Sequence, residues 1–200
     1  MKKTIIAALV GGIIMFLWQF ISWNVSGLHE PAQQYTPQQD QIMGFLNGLQ
    51  LKEGGYILPM PPPTASMDEW NKAMEAAAGK PWARVEYHAS LQENMTMNMT
   101  RGLVTNFITM LLLCWVITRL RQRSFAAILT ACLATGFIIF LNVPYTNYIW
   151  YHSFDVWGHL ADAVVSWGLV GLWLGWYLKT KGTAATTVTN NRRSAVINID

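Results

Sequence analysis

Five residues near the end of the chain have types and spacing suited to shared chemistry. His152, Asp155, His159, Asp162 and Ser166 are separated by three, four, three and four residues. On an α-helix, at 100° per residue, all five fall within about 80° of one face, and side chains three or four positions apart touch. Three kinds of chemistry fit this stripe. The simplest is a hydrogen-bonded polar seam that holds helices together, with Asp162 paired to His159 or Arg101. The second is a divalent-metal site: His159, Asp155 and Asp162, joined by His152 or His29, offer imidazole and carboxylate ligands to zinc or a similar ion, although no compact H-E-x-x-H signature accompanies them. The third is an acid–base pair in which a carboxylate orients an imidazole. No serine or cysteine sits in a recognisable nucleophile motif.

The elements that carry these residues follow from composition. Of 200 residues, 52% are hydrophobic and only 12% charged, about half the charged share of a soluble domain. Four apolar stretches stand out, Ile5–Trp23, Leu103–Ile117, Phe125–Val143 and Val156–Leu178, each near the length of about 20 residues that crosses a bilayer. Basic residues collect at Lys2 and Lys3, at Arg119, Arg121 and Arg123, and at Lys179, Lys181, Arg192 and Arg193. Residues 27–100 instead carry four basic and eight acidic side chains. Lys and Arg mark the cytoplasmic side, so both termini are expected in the cytoplasm and residues 26–100 outside it. That pattern is a topology signal of a multi-pass inner-membrane protein and excludes a nucleic-acid partner. Aromatic residues at the ends of the apolar stretches, among them Trp23, Trp150, Trp157 and Trp176, suit interfacial belts.

The expected fold class is membrane all-α. A four-transmembrane-helix bundle carries a small α+β extracytoplasmic domain between its first two helices. The boundaries are residues 1–25 for the first helix, 26–100 for the domain, 101–178 for helices two to four, and 179–200 for a disordered cytoplasmic tail. Residues 1–27 also read as a signal peptide with Val25-Ser26-Gly27 as cleavage site. The apolar run is longer than such peptides use, and Ala7, Ala8, Gly11 and Gly12 give a small-residue face for helix packing, so an uncleaved anchor is expected. Cys114 and Cys132 both fall inside spans, where a disulfide is not expected.

Within residues 26–100, Thr36-Pro37-Gln38-Gln39 predicts a capped helix to about Leu49. Tyr56–Leu58 and Trp82–Tyr87 read as short strands. Ser66-Met67-Asp68-Glu69 is a capping box for a second helix. From Ala89 a helix is expected to run unbroken into the second span. Met95, Met97 and Met99 alternate thioethers that suit Cu(I), but helical spacing puts Met97 on a different face, so packing is the expected role.

Other polar residues lie level with the stripe: Gln19, Ser22, Asn24, His29 and Glu30, then Arg101, Thr105, Asn106 and Thr109, then Asn142. Ile5–Phe16, Met110–Ile117 and Gly168–Leu178 are apolar. The sequence therefore predicts a ligand pocket lined by His152, Asp155, His159, Asp162, Asn106 and Arg101, open to the exterior and sealed toward the cytoplasm. A conduit needs favourable groups along its whole path or a site near the midplane, so transport would require an oligomer. Gly11-Gly12-Ile13-Ile14-Met15-Phe16-Leu17-Trp18 and the Gly/Trp spacing of Asp162–Gly175 resemble small bacterial four-helix inner-membrane proteins of unknown function. The resemblance implies the architecture and no activity. The expected function is non-enzymatic binding or assembly, with membrane lipid around the helices and a protein partner or second copy to assemble with. The alternatives are a metal-binding or acid–base membrane enzyme, and a subunit of an oligomeric transporter.

Overall fold

The computed structural model describes residues 2–180. Of the tail expected to be disordered, 179–200, residues 181–200 lie outside them. In chain order the elements are α1 (Lys2–Asn24), a 3-10 turn (Glu30–Ala32), α2 (Gln39–Gly48), β1 (Gly54–Leu58), α3 (Met67–Ala77), β2 (Ala83–Tyr87), α4 (Met95–Thr118), α5 (Phe125–Phe140), a π-helical turn (Leu141–Tyr145), α6 (Thr146–Tyr151) and α7 (Val156–Leu178). The described residues form two compact units, one made of those up to Gln33 together with 98–180, the other of Gln34–Met97.

Four helices of the first unit are long and apolar enough to cross a membrane: α1, α4, α5 continued through α6 to Tyr151, and α7. Small residues set how closely they pack. α1 buries Ala7, Ala8, Gly11 and Gly12. Gly171 of α7 faces α5 so tightly that a Cβ there would lie 3.1 Å from Cys132 Cβ and 3.3 Å from Leu129 Cα. Gly171 and Gly175 thus serve contacts within the chain, where close backbone approach maximises van der Waals packing. The interior between them is apolar, with Met110, Cys114, Ile117, Ile128, Cys132, Val170 and Leu174 fully buried. The outward faces are apolar too: Ile5, Leu9, Ile13 and Leu17 on α1, Leu112 and Trp115 on α4, Ile138 on α5, Leu172 and Trp176 on α7 are all exposed. Helices apolar on every side need cover on every side.

Two boundaries differ from those read in the sequence. The third long helix does not stop near Val143. It widens into a π-helical turn around Pro144 and resumes to Tyr151. Pro144 brings no N–H and its ring would strike the preceding turn of a regular helix, and a π-turn absorbs that misfit. Side chains then bind backbone carbonyls beside the turn: Asn142 Nδ2 donates to Ile138 O (3.0 Å) and Thr146 Oγ1 donates to Leu141 O (2.8 Å). The second helix begins at Met95 rather than Ala89, because Asn94 is its cap, Oδ1 accepting from the N–H of Met97 at 3.1 Å.

In the second unit β1 and β2 pair antiparallel, from Gly54 opposite Tyr87 to Leu58 opposite Ala83. The Ser66 capping box forms as expected, Ser66 Oγ accepting from Glu69 N and Glu69 Oε2 accepting from Ser66 N at 2.8 Å. The backbone bond, then the hydroxyl bond, hold the Glu69 carboxyl below its ordinary range. The Thr36 cap does not form. Its hydroxyl accepts from Gln38 N–H inside a turn, and α2 starts at Gln39 without a side-chain cap. Neither α2 nor α3 buries a residue. The unit's anchor is Tyr87, buried, with its hydroxyl donating to Asn47 Oδ1 at 2.8 Å.

Candidate functional site

The site is assembled where the loop after α1 lies on the first turns of α7. At the end of α1 the N–H groups of Val25 and Ser26 both bond Ile21 O, and Ser26 Oγ donates to Ser22 O while accepting from Leu28 N–H. These bonds fold the chain back so that Leu28 and His29 press on Gly158. A Cβ on Gly158 would lie 2.7 Å from Leu28 O and 3.2 Å from His29 Cε1, so only glycine admits the loop. His29 is left 1% exposed. Its ring stacks on Trp23, with centroids 3.9 Å apart and planes 3° from parallel.

Both nitrogens of that ring meet carboxylates of α7 and its N-terminal edge. Nδ1 is 2.8 Å from Asp155 Oδ2, and Nε2 is 3.1 Å from Asp162 Oδ2. The other oxygen of Asp162 accepts from Trp18 Nε1 at 2.9 Å. His159 Nε2 stands 3.3 Å from Asp155 Oδ2, and the two imidazole centroids are 4.8 Å apart. Asp155 is buried, whereas the His159 and Asp162 side chains are 29% and 20% exposed. Two helices and a loop are thereby tied by one hydrogen-bonded group.

Proton counting constrains what this group holds. A carboxylate only accepts, and a neutral imidazole has one donor and one acceptor. With both His29 nitrogens facing carboxylate oxygens, a neutral ring satisfies only one contact. Three states satisfy both: an imidazolium, a proton on one carboxyl group, or a cation between Nε2 and Asp162.

His159 and Asp162 also line a cavity of about 350 Å³ between α1, α4, α5 and α7, with Gln19, Thr105, Asn106, Thr109 and Ser166 as its other polar walls. Asn106 is buried and donates to Gln19 Oε1 at 2.7 Å. Ser166 donates to the Asp162 carbonyl within its own helix. The Ser22 hydroxyl, fully buried, has no hydrogen-bond partner among the described residues. Apolar packing of Met110, Cys114, Cys132 and Val170 belongs to the core cluster that continues the interior toward the far end of the helices.

Of the residues expected to line the pocket, Asp155, His159, Asp162 and Asn106 converge here. His152 and Arg101 do not. α7 begins only at Val156, so the helical register that aligned His152 does not extend to it. His152 instead ends α6 in a left-handed conformation (φ 43°) with its ring edge on Tyr148. Arg101 is exposed on α4, and among the described residues it pairs with neither aspartate. His29, an alternative ligand in the sequence reading, is the centre of the group. Trp18 was missed as a partner of Asp162. Its place one helical turn before Ser22, on the face that α1 turns inward, is the signal that would have found it. Comparison with known proteins adds no relative: no family model, curated protein or solved structure matches the chain.

Proposed function

We propose that the chain is a multi-pass inner-membrane protein that works by binding. On this reading its four-helix unit holds an extracytoplasmic site for a small ligand that carries positive charge or hydrogen-bond donors. Four apolar helices with exposed apolar faces support the membrane setting. The antiparallel helices support the orientation: Lys3 lies over the Tyr177 ring and Thr180 N–H bonds Arg123 O, so basic residues from three parts of the chain gather at one end, which the charge rule assigns to the cytoplasm. The His29 group is then at the opposite, extracytoplasmic end. Retention of α1 as an anchor follows, since Trp18 and the small-residue face belong to the folded unit.

The observation that carries the binding reading is the pairing of the His/Asp group with the adjoining cavity, whose volume of about 350 Å³ falls at the small end of ligand pockets. Titratable groups inside a span usually face a wet cavity and mark function. Binding is favoured over covalent catalysis by a side chain because, among the described residues, Ser166 is bonded to its own helix and both cysteines are buried in the apolar interior. Lipid surrounds the helices, and a protein partner or second copy completes the assembly.

Thiol accessibility tests this reading. In a background with Cys114 and Cys132 replaced by alanine, a small charged membrane-impermeant methanethiosulfonate added outside is expected to modify Thr109→Cys. Ile117→Cys stays unmodified, and Ser124→Cys reacts only after permeabilisation. Modification of Thr109→Cys from the cytoplasmic side alone, or from neither side, contradicts the proposal.

A further inference from the structure

We infer that the ligand is a divalent transition-metal ion of the zinc class, held by His29 Nε2, Asp162 Oδ2 and His159. Asp155 and Trp18 act as the groups that orient these ligands. The inference rests on the binding site proposed above and names its occupant.

The geometry already has the spacing of a ligand pair. Zinc bonds imidazole nitrogen and carboxylate oxygen at about 2.0–2.2 Å, so two ligands of a tetrahedral site stand about 3.3 Å apart; His29 Nε2 and Asp162 Oδ2 are 3.1 Å apart. One ligand atom from each of His29, His159 and Asp162 lies within 4.8 Å of the others, and rotation of the partly exposed His159 side chain would close the remainder. The supporting contacts are those a metal site uses. A metal-bound histidine donates its second N–H to a carboxylate, which fixes the tautomer and raises ligand basicity, and His29 Nδ1 meets Asp155 at 2.8 Å. Ligating carboxylates are themselves hydrogen-bonded, and the free oxygen of Asp162 accepts from Trp18 Nε1 at 2.9 Å.

A cation between Nε2 and Asp162 also resolves the donor shortage of His29, because the ring then donates at Nδ1 and offers its lone pair at Nε2. Three protein ligands leave a fourth position, and since His159 and Asp162 line the cavity, that position faces it. Three protein ligands with an open fourth place is the arrangement of zinc sites that take a water or an exogenous ligand at the fourth position. Imidazole and carboxylate favour zinc and its neighbours over soft Cu(I).

The test uses the full chain, purified without a histidine tag in mild detergent, stripped with chelator and titrated with Zn²⁺ or Co²⁺ alone. Stoichiometric binding is expected, with the intense visible absorption of four-coordinate cobalt. Asp155→Asn is expected to weaken binding by about 10–100-fold, and His159→Ala to weaken it further. The His159 side chain is 29% exposed, so that variant is expected to keep cooperative thermal unfolding. If it does not, His159→Gln and Asp162→Asn give the same reading. Absence of stoichiometric binding, or unchanged affinity in folded His159 and Asp162 variants, overturns the metal assignment. If Thr109→Cys is still modified from outside, only the metal is lost from the account; if that labelling also fails, the binding site itself is withdrawn.

Discussion

At the Lys3 end of the helical unit, neighbouring helices meet through small and apolar side chains: Ala7 and Ala8 on α1, Ile128 and Cys132 on α5, Gly171 and Leu174 on α7. A side-chain hydrogen bond joins α1 to α7 there, Trp173 Nε1 donating to Ala7 O at 3.1 Å. At the His29 end, α1 and the loop after it meet α7 and its N-terminal edge through Trp18, His29, Asp155 and Asp162, each bonded to another. Between helices that are apolar on every side, close packing and hydrogen bonds are the two interactions that can select partners. One end of this unit relies on the first and the other on the second. Packing at the first end depends on close approach at positions such as Gly171, whereas at the second a bonded group of two imidazoles and two carboxylates ties the loop after α1 to the start of α7.

Mutations separate the two ends. The largest loss is expected from His29→Ala, which leaves buried Asp155 and part-buried Asp162 without their common partner. Breaking a buried pair by removing one member costs about 3–5 kcal/mol, read as reduced stability to heat or denaturing detergent. A smaller loss is expected from Gly171→Ala at the other end, where the added methyl meets Cys132 Cβ and Leu129 Cα. Overpacking of this kind costs about 1–3 kcal/mol and leaves Thr109→Cys labelling unchanged. A greater loss from Gly171→Ala than from His29→Ala would reverse the comparison.

The two ends were not equally legible in the sequence. Long apolar runs disclosed the four membrane-length helices, and the apolar run Val156–Leu178 coincides with α7. The third helix was cut short at Val143, where its apolar run ends. The misfit of Pro144 is absorbed locally by a π-turn and by the Asn142 and Thr146 side chains, a solution that composition does not announce. Helical period aligned Asp155, His159, Asp162 and Ser166, and it misplaced His152 by assuming one continuous helix. The central position of His29 depends on a loop that folds back through Ser26 and lies on Gly158. That is a tertiary contact across about 130 residues of chain, which no local pattern encodes. Asn106 and Gln19 were both seen as polar residues of the same level, but their mutual bond required the packing of α1 on α4. Thr36 shows the opposite error: a capping pattern was present, and Thr36 used its hydroxyl in a turn instead.

The loop after α1 and the start of α7 are joined by one polar group, and its members are expected to act cooperatively. A double-mutant cycle of His29→Ala and Asp155→Ala, measured by unfolding of chelator-treated protein, tests it most directly. Residues sharing such a network show coupling of about 0.5–3 kcal/mol, and a value in the upper part of that range is expected for a contact of 2.8 Å between buried partners. Additivity of the two losses to within about 0.3–0.5 kcal/mol would contradict the account.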